Sequence, residues 1–188
     1  MPRKKILAIC GSTKSQSSSL SILKYIQNQY AQSLDVSIFD SIDKLPHFNP
    51  DLDNMSDLPN AIRTLRLEID QSDGIIVCTP EYVFSMPGSL KNLLEWQVST
   101  TLFSGKPVAM IVAAASGKKA YEALELVLTT IEVVMPQESR LQIMGAKGKV
   151  DEYGNIIDPL TSQAIERVVE SLSKCIALEV KMPTKFES

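Results

Sequence analysis

Apolar positions along this chain fall into two kinds of run. Ile6–Cys10, Gly74–Cys78 and Pro107–Ala115 are short, nearly unbroken apolar stretches rich in β-branched residues, and Val36–Phe39 and Arg140–Met144 are further strand candidates that polar residues interrupt. Such runs predict strands, and unbroken ones predict strands covered on both faces. Between them the apolar residues recur three or four apart. Leu23, Ile26 and Tyr30 form one stripe; Leu58, Ile62, Leu65 and Ile69 a second; Leu90, Leu93 and Leu94 open a third. Ala120, Leu124, Val127 and Ile131 form a fourth, and Ile165, Val168, Leu172 and Ile176 a fifth, which Asp158 and Pro159 would cap and start. Strands alternating with helices predict an α/β fold with a doubly wound parallel sheet of five strands, order 2-1-3-4-5, and helices on both faces. No linker or repeat interrupts the pattern, so residues 1–188 are expected to form a single domain.

In such a sheet, ligands bind beyond the carboxyl ends of the strands, where the order reverses between strands one and three. The loops after those strands carry the most pointed chemistry in the chain. Gly11–Ser19 reads G-S-T-K-S-Q-S-S-S, with hydroxyls at Ser12, Thr13, Ser15, Ser17, Ser18 and Ser19 beside Lys14. Together with the free N–H groups of a helix start, these make an anion site suited to phosphate. A plainer alternative is that the serines only cap the helix. Thr79–Trp96 joins strand three to the next helix through Pro80 and Pro87, which restrict φ, and Gly88, expected to let the backbone bend. A planar ligand could lie on Pro80–Phe84. Ser116–Lys119 follows strand four on the same sheet edge. Neither G-x-G-x-x-G nor the Walker pattern follows a strand, which favours a mononucleotide over a dinucleotide.

Composition narrows the partners. Net charge is −3 and the isoelectric point about 5.3, so no basic surface points to nucleic acid or an anionic membrane. The longest apolar run, Val108–Ala115, is far short of the roughly 20 residues of a membrane span. Only a short polar lead precedes strand one, and a cytoplasmic protein is expected. Cys10, Cys78 and Cys175 suit reduced thiols, the first two packed in adjacent strands. His47 is the one histidine, so no histidine-rich metal centre can form, and G-x-S-x-G is absent. Trp96, ending an apolar stripe, is expected in the core or a subunit interface.

Together, Gly11–Ser19 and P-E-Y-V-F-S-M-P-G-S-L-K-N-L-L-E-W at Pro80–Trp96 resemble the NADPH-dependent FMN reductases, flavodoxin-like enzymes that include quinone, azo-dye and chromate reductases. Leu45–Asp53 and Phe103–Ala109 are also similar to family segments. The family pattern G-S-x-R-x-x-S-x-N has Lys14 in place of arginine and Ser19 in place of asparagine here. In P-E-Y-N-x-S-x-P-G-x-L-K-N, Val83 replaces the first asparagine, and the glycine-rich third loop is reduced to Ser116–Lys119.

The resemblance implies that Ser12, Lys14, Ser17, Ser18 and Ser19 surround an FMN phosphate. It implies that the ring lies against Pro80, Glu81, Tyr82, Val83 and Phe84, with Ser116 and Gly117 at its edge. NADPH then supplies hydride, and a small acceptor (quinone, free flavin, azo compound or metal oxyanion) takes the electrons; neither a protein acid or base nor a metal is needed. Glu81 is expected to fix the loop or face solvent. Tyr82 is expected on the ring, and Phe84 on substrate or a partner subunit, since the resemblance implies a homodimer or homotetramer. Two rivals remain at this point: a flavodoxin-type electron carrier, and a family member that has lost tight FMN binding through Val83, Ser19 and the short third loop.

Overall fold

Every expected strand forms, and the chain alternates between strand and helix throughout. The structure is a computed structural model and describes residues 2–178 apart from Met55 and Glu152. In chain order it contains β1 (Lys4–Cys10), α1 (Ser18–Gln29), β2 (Leu34–Phe39), α2 (Asn60–Gln71), β3 (Gly74–Thr79), α3 (Gly88–Glu95), β4 (Val108–Ala114), α4 (Lys118–Thr130), β5 (Arg140–Met144) and α5 (Pro159–Ala177). The five strands are parallel in the order β2-β1-β3-β4-β5, the flavodoxin-like arrangement. β1 and β2 begin two residues before the expected points, because Lys4–Lys5 and Leu34–Asp35 extend the ladder without adding to the apolar run.

Two-residue alternation along the strands sends side chains to two separate cores. Leu7, Ile9, Ile75, Val77, Met110 and Val112 face α2, α3 and α4; Ile6, Ala8, Ile76, Cys78, Ile111 and Ala113 face α1 and α5. β3 is buried at every position, which is why its sequence reads as an unbroken apolar run. Each fully buried Ile or Leu contributes about 1.5–3 kcal/mol by leaving water.

Polar contacts close the gaps that apolar packing leaves. Lys106 Nζ donates to the carbonyls of Ile69 (2.9 Å) and Ser72 (2.8 Å), satisfying the end of α2, and burial pulls its pKa down. Trp96 is fully buried; its indole N–H donates to Pro46 O at 2.8 Å, and its ring meets Phe48 edge-on at 5.2 Å. It is therefore core. Asn92 ties down the same strap, accepting from Phe48 N at 2.7 Å and donating to Pro46 O at 2.9 Å. His47 between them is exposed.

Candidate functional site

The β1–α1 loop is shorter than the sequence suggests, because α1 begins at Ser18 and takes Ser18 and Ser19 into its first turn. Ser17 is the N-cap, its Oγ accepting from Leu20 N at 3.1 Å, so the capping role holds for that one serine. Ser12 Oγ accepts from Lys14 N at 3.2 Å and fixes the turn before it. Gly11 must be glycine: a Cβ there would lie 2.4 Å from Thr79 Oγ1, and its N–H bonds Cys78 O at 2.8 Å. The loop is thus pinned to the end of β3.

A polar cleft of about 910 Å³ opens over this loop. Ser12, Lys14, Ser17, Ser18 and Ser19 line it, with Pro80, Tyr82 and Ala113 from the ends of β3 and β4. Ser19 is 1% exposed, its Oγ buried beside the Cys78 thiol. The first N–H groups of α1 are unspent by the helix, and the Lys14 ammonium forms no ion pair among the described residues. The loop therefore fits a phosphate group.

Beneath it, Cys10 and Cys78 are register partners on β1 and β3. Cys10 Sγ donates to Ser12 O at 3.6 Å, and burial pushes both thiols up, so neither is a thiolate nucleophile at neutral pH.

The β3–α3 loop turns by a different device from the one expected. Gly88 starts α3, and a Cβ on it would meet nothing within 4 Å, so no bend requires it. The reversal lies at Tyr82–Ser85, where Tyr82 N donates to Ser85 O (2.9 Å) and Ser85 N to Tyr82 O (3.1 Å). Val83 and Phe84 both have positive φ, 50° and 56°, which makes this a two-residue hairpin of the I′ type. Their side chains stand 95% and 79% exposed, outside the cleft. Of the expected ring contacts, Pro80 and Tyr82 reach the cleft; Glu81, Val83 and Phe84 do not.

Glu81 points away instead, to the start of α4. Its carboxylate accepts from Lys119 N (2.9 Å), Ala120 N (3.0 Å) and, more weakly, Gly117 N (3.4 Å). Gly117, the N-cap of α4, has φ 89° and no side chain to cap with, so a carboxylate 36 residues earlier does it. Ser116 O accepts from Gln142 Nε2 at 2.9 Å, and neither Ser116 nor Gly117 lines the cleft. The second and third loops are therefore one braced unit beside it.

The remaining wall was not anticipated. Lys147, Val150, Asp151, Tyr153, Gly154 and Asn155 border the cleft from the segment between β5 and α5. Asp151 organises it: Asn155 N (2.7 Å) and Tyr153 N (2.9 Å) donate to one carboxylate oxygen, and Asn155 Nδ2 (2.8 Å) to the other. These bonds, the Asn155 side chain foremost, hold the Asp151 carboxyl below its usual range. Gly154 takes φ 88° against Ser21 of α1, where a Cβ would lie 3.3 Å from the Ser21 hydroxyl. The D-x-x-G-N turn residues were the available signal. Among the described residues no cluster of acidic, cysteine or histidine side chains could hold a metal, and no helix is long and apolar enough to cross a membrane.

The family model described as NADPH-dependent FMN reductase matches residues 4–146. The chain is 31% identical over 140 residues to a 2-hydroxy-1,4-benzoquinone reductase from a Burkholderia species, covering 70% of this chain and 75% of that protein. It is 28% identical over 172 residues to an NADPH azoreductase from a Bacillus species, covering 90% and 93%. Among solved structures it resembles FerB, a flavoenzyme NAD(P)H:(acceptor) oxidoreductase from Paracoccus denitrificans, with TM-score 0.82, 25% identity and coverage of 94% and 98%.

Proposed function

Because this chain belongs to the NADPH-dependent FMN reductase family, we propose that its cleft holds FMN with the phosphate on Ser12, Lys14, Ser17, Ser18 and Ser19 and the ring against Pro80 and Tyr82. The protein is an NAD(P)H-dependent oxidoreductase. Bound FMN supplies the redox chemistry, accepting hydride from the nicotinamide and passing electrons to a small acceptor. The observation that carries the reading is the start of α1, whose first N–H groups the helix leaves unspent, set beside Lys14 in a cleft that Pro80 and Tyr82 also line.

The residues bind and orient. The α1 start and Lys14 hold the dianion, each charge-assisted bond contributing about 1.5–3 kcal/mol. Pro80 and Tyr82 give the ring a wall, and Glu81 braces that wall through α4. Val83, which replaces the family asparagine, sits outside the cleft. That supports a retained flavin site over a decayed one.

We read residues 1–188 as one domain working in the cytoplasm, where buried neutral thiols suit a reducing compartment. The acceptor class is that of the relatives, quinone or azo compound. The exposed Phe84 suits cover by a second copy in a homodimer or homotetramer. In the test, the purified protein is reconstituted with FMN and mixed anaerobically with NADPH, then with a quinone. The flavin absorbance should bleach and return, and steady-state turnover should give parallel double-reciprocal lines, because one cleft serves both substrates in turn. A bound flavin inert to NADPH would favour the electron carrier; intersecting lines would refute the shared position.

A further inference from the structure

The cleft is lined by residues from two stretches of the fold. Pro80, Tyr82 and Ala113, at the ends of β3 and β4, belong to the part that the flavin reading uses. Lys24, Tyr25 and Asn28 extend the lining along α1, with Lys147, Tyr153 and Asn155 of the β5–α5 segment also bordering it, and this α1 stretch forms a second arm. From Ser17 to Asn28 it extends about 16 Å along the helix. An FMN whose phosphate sits at the start of α1 and whose ring lies on Pro80 leaves this second arm empty.

Its chemistry is specific. Lys24 and Lys147 flank it, and the one carboxylate among the described lining residues is Asp151, whose oxygens are engaged by Tyr153 and Asn155. The arm therefore favours an anion. Tyr153 is 82% exposed and the Tyr25 hydroxyl is locked to Ser162 Oγ at 2.7 Å, so two aromatic side chains are available for stacking. The Asn28 amide offers a donor and an acceptor for a base or a sugar, and the Asn155 amide, whose nitrogen bonds Asp151, keeps its oxygen as an acceptor. Cations, aromatic side chains and amides together match an adenosine phosphate.

We infer that the α1 arm binds the adenosine-phosphate end of the reducing dinucleotide, with Lys24 and Lys147 taking its 2′-phosphate. This rests on the flavin reading of the other arm. The dinucleotide then lies over the flavin phosphate, with its nicotinamide at the ring and its adenosine along α1. Preference for NADPH over NADH is set in this arm.

The test uses FMN-loaded protein titrated calorimetrically with adenosine 2′,5′-bisphosphate, a fragment with no nicotinamide, and with adenosine 5′-monophosphate. The bisphosphate should bind, more tightly than the monophosphate. The double variant Lys24→Ala/Lys147→Ala should weaken it by about tenfold or more, with FMN affinity unchanged. In steady state the same variant should raise KM for NADPH and leave that for NADH alone. No binding to the loaded wild-type protein, or equal binding by the variant, would overturn the inference. So would FAD binding the apoprotein more tightly than FMN through these two lysines, which would assign the arm to the cofactor's own adenylate. Failure to take up FMN refutes the flavin reading separately, and the bisphosphate titration of the unloaded protein then decides the arm by itself.

Discussion

Replacing Val83 with asparagine should stabilise this protein, although the substitution removes an apolar side chain. Val83 occupies the left-handed region at φ 50°, where a β-branched L-residue is strained by about 1–2 kcal/mol. Its side chain is 95% exposed, so truncation or exchange forfeits almost no packing. Asparagine tolerates this conformation and is favoured at the first central position of I′ hairpins. The expected gain is about 1 kcal/mol, or roughly 2–4 °C in Tm for a chain of this size. Thermal and urea unfolding of apoprotein at one fixed concentration measures it, with Val83→Ala as the control: alanine keeps a Cβ and should recover much less. FMN affinity should not fall, since the hairpin tip lies outside the cleft. A Val83→Asn protein no more stable than the parent would refute the strain argument.

Other sites give sharper functional readings. Glu81→Ala should cost about 1–2 kcal/mol by uncapping α4, and Glu81→Gln about half as much, both read by unfolding; equal stability to the parent would remove Glu81 from the brace. Lys14→Ala should weaken FMN about thirtyfold, a loss of about 2 kcal/mol, without unfolding the chain, and an unchanged dissociation constant would misplace the phosphate. The Asp158 carboxyl is held below its usual range, first by the Thr161 hydroxyl at 2.5 Å and then by the Thr161 N–H. Its contribution to stability is therefore full above the ordinary aspartate value and is lost as pH falls through the depressed folded value. Asp158→Asn should flatten that part of the acid limb in a Tm series across pH, whereas an unaltered limb would contradict the assignment.

Burial on two faces made the strands readable: β3 has no exposed position, so its apolar run had one interpretation. The parallel order followed from strands alternating with helical stripes. What escaped was set by tertiary context. Val and Phe are poor residues for a left-handed turn, and only the surrounding loop holds Val83 and Phe84 there, so local propensity pointed to Gly88 instead. Glu81 could be read as a loop-fixing residue, yet its partners on α4 are 36 to 39 residues away and carry no side-chain signature. The wall that includes Asp151, Gly154 and Asn155 meets α1 where Gly154 lies against Ser21, far apart in sequence; its turn residues were visible, its neighbour was not.

The central claim is that the start of α1 grips a flavin by its phosphate. Titrating the apoprotein with FMN and with riboflavin, followed by flavin fluorescence, separates that grip from every ring contact. FMN should bind at least about a hundredfold more tightly than riboflavin, the worth of two charge-assisted bonds to the dianion. Equal affinity for the two, or no binding of FMN, would contradict the account.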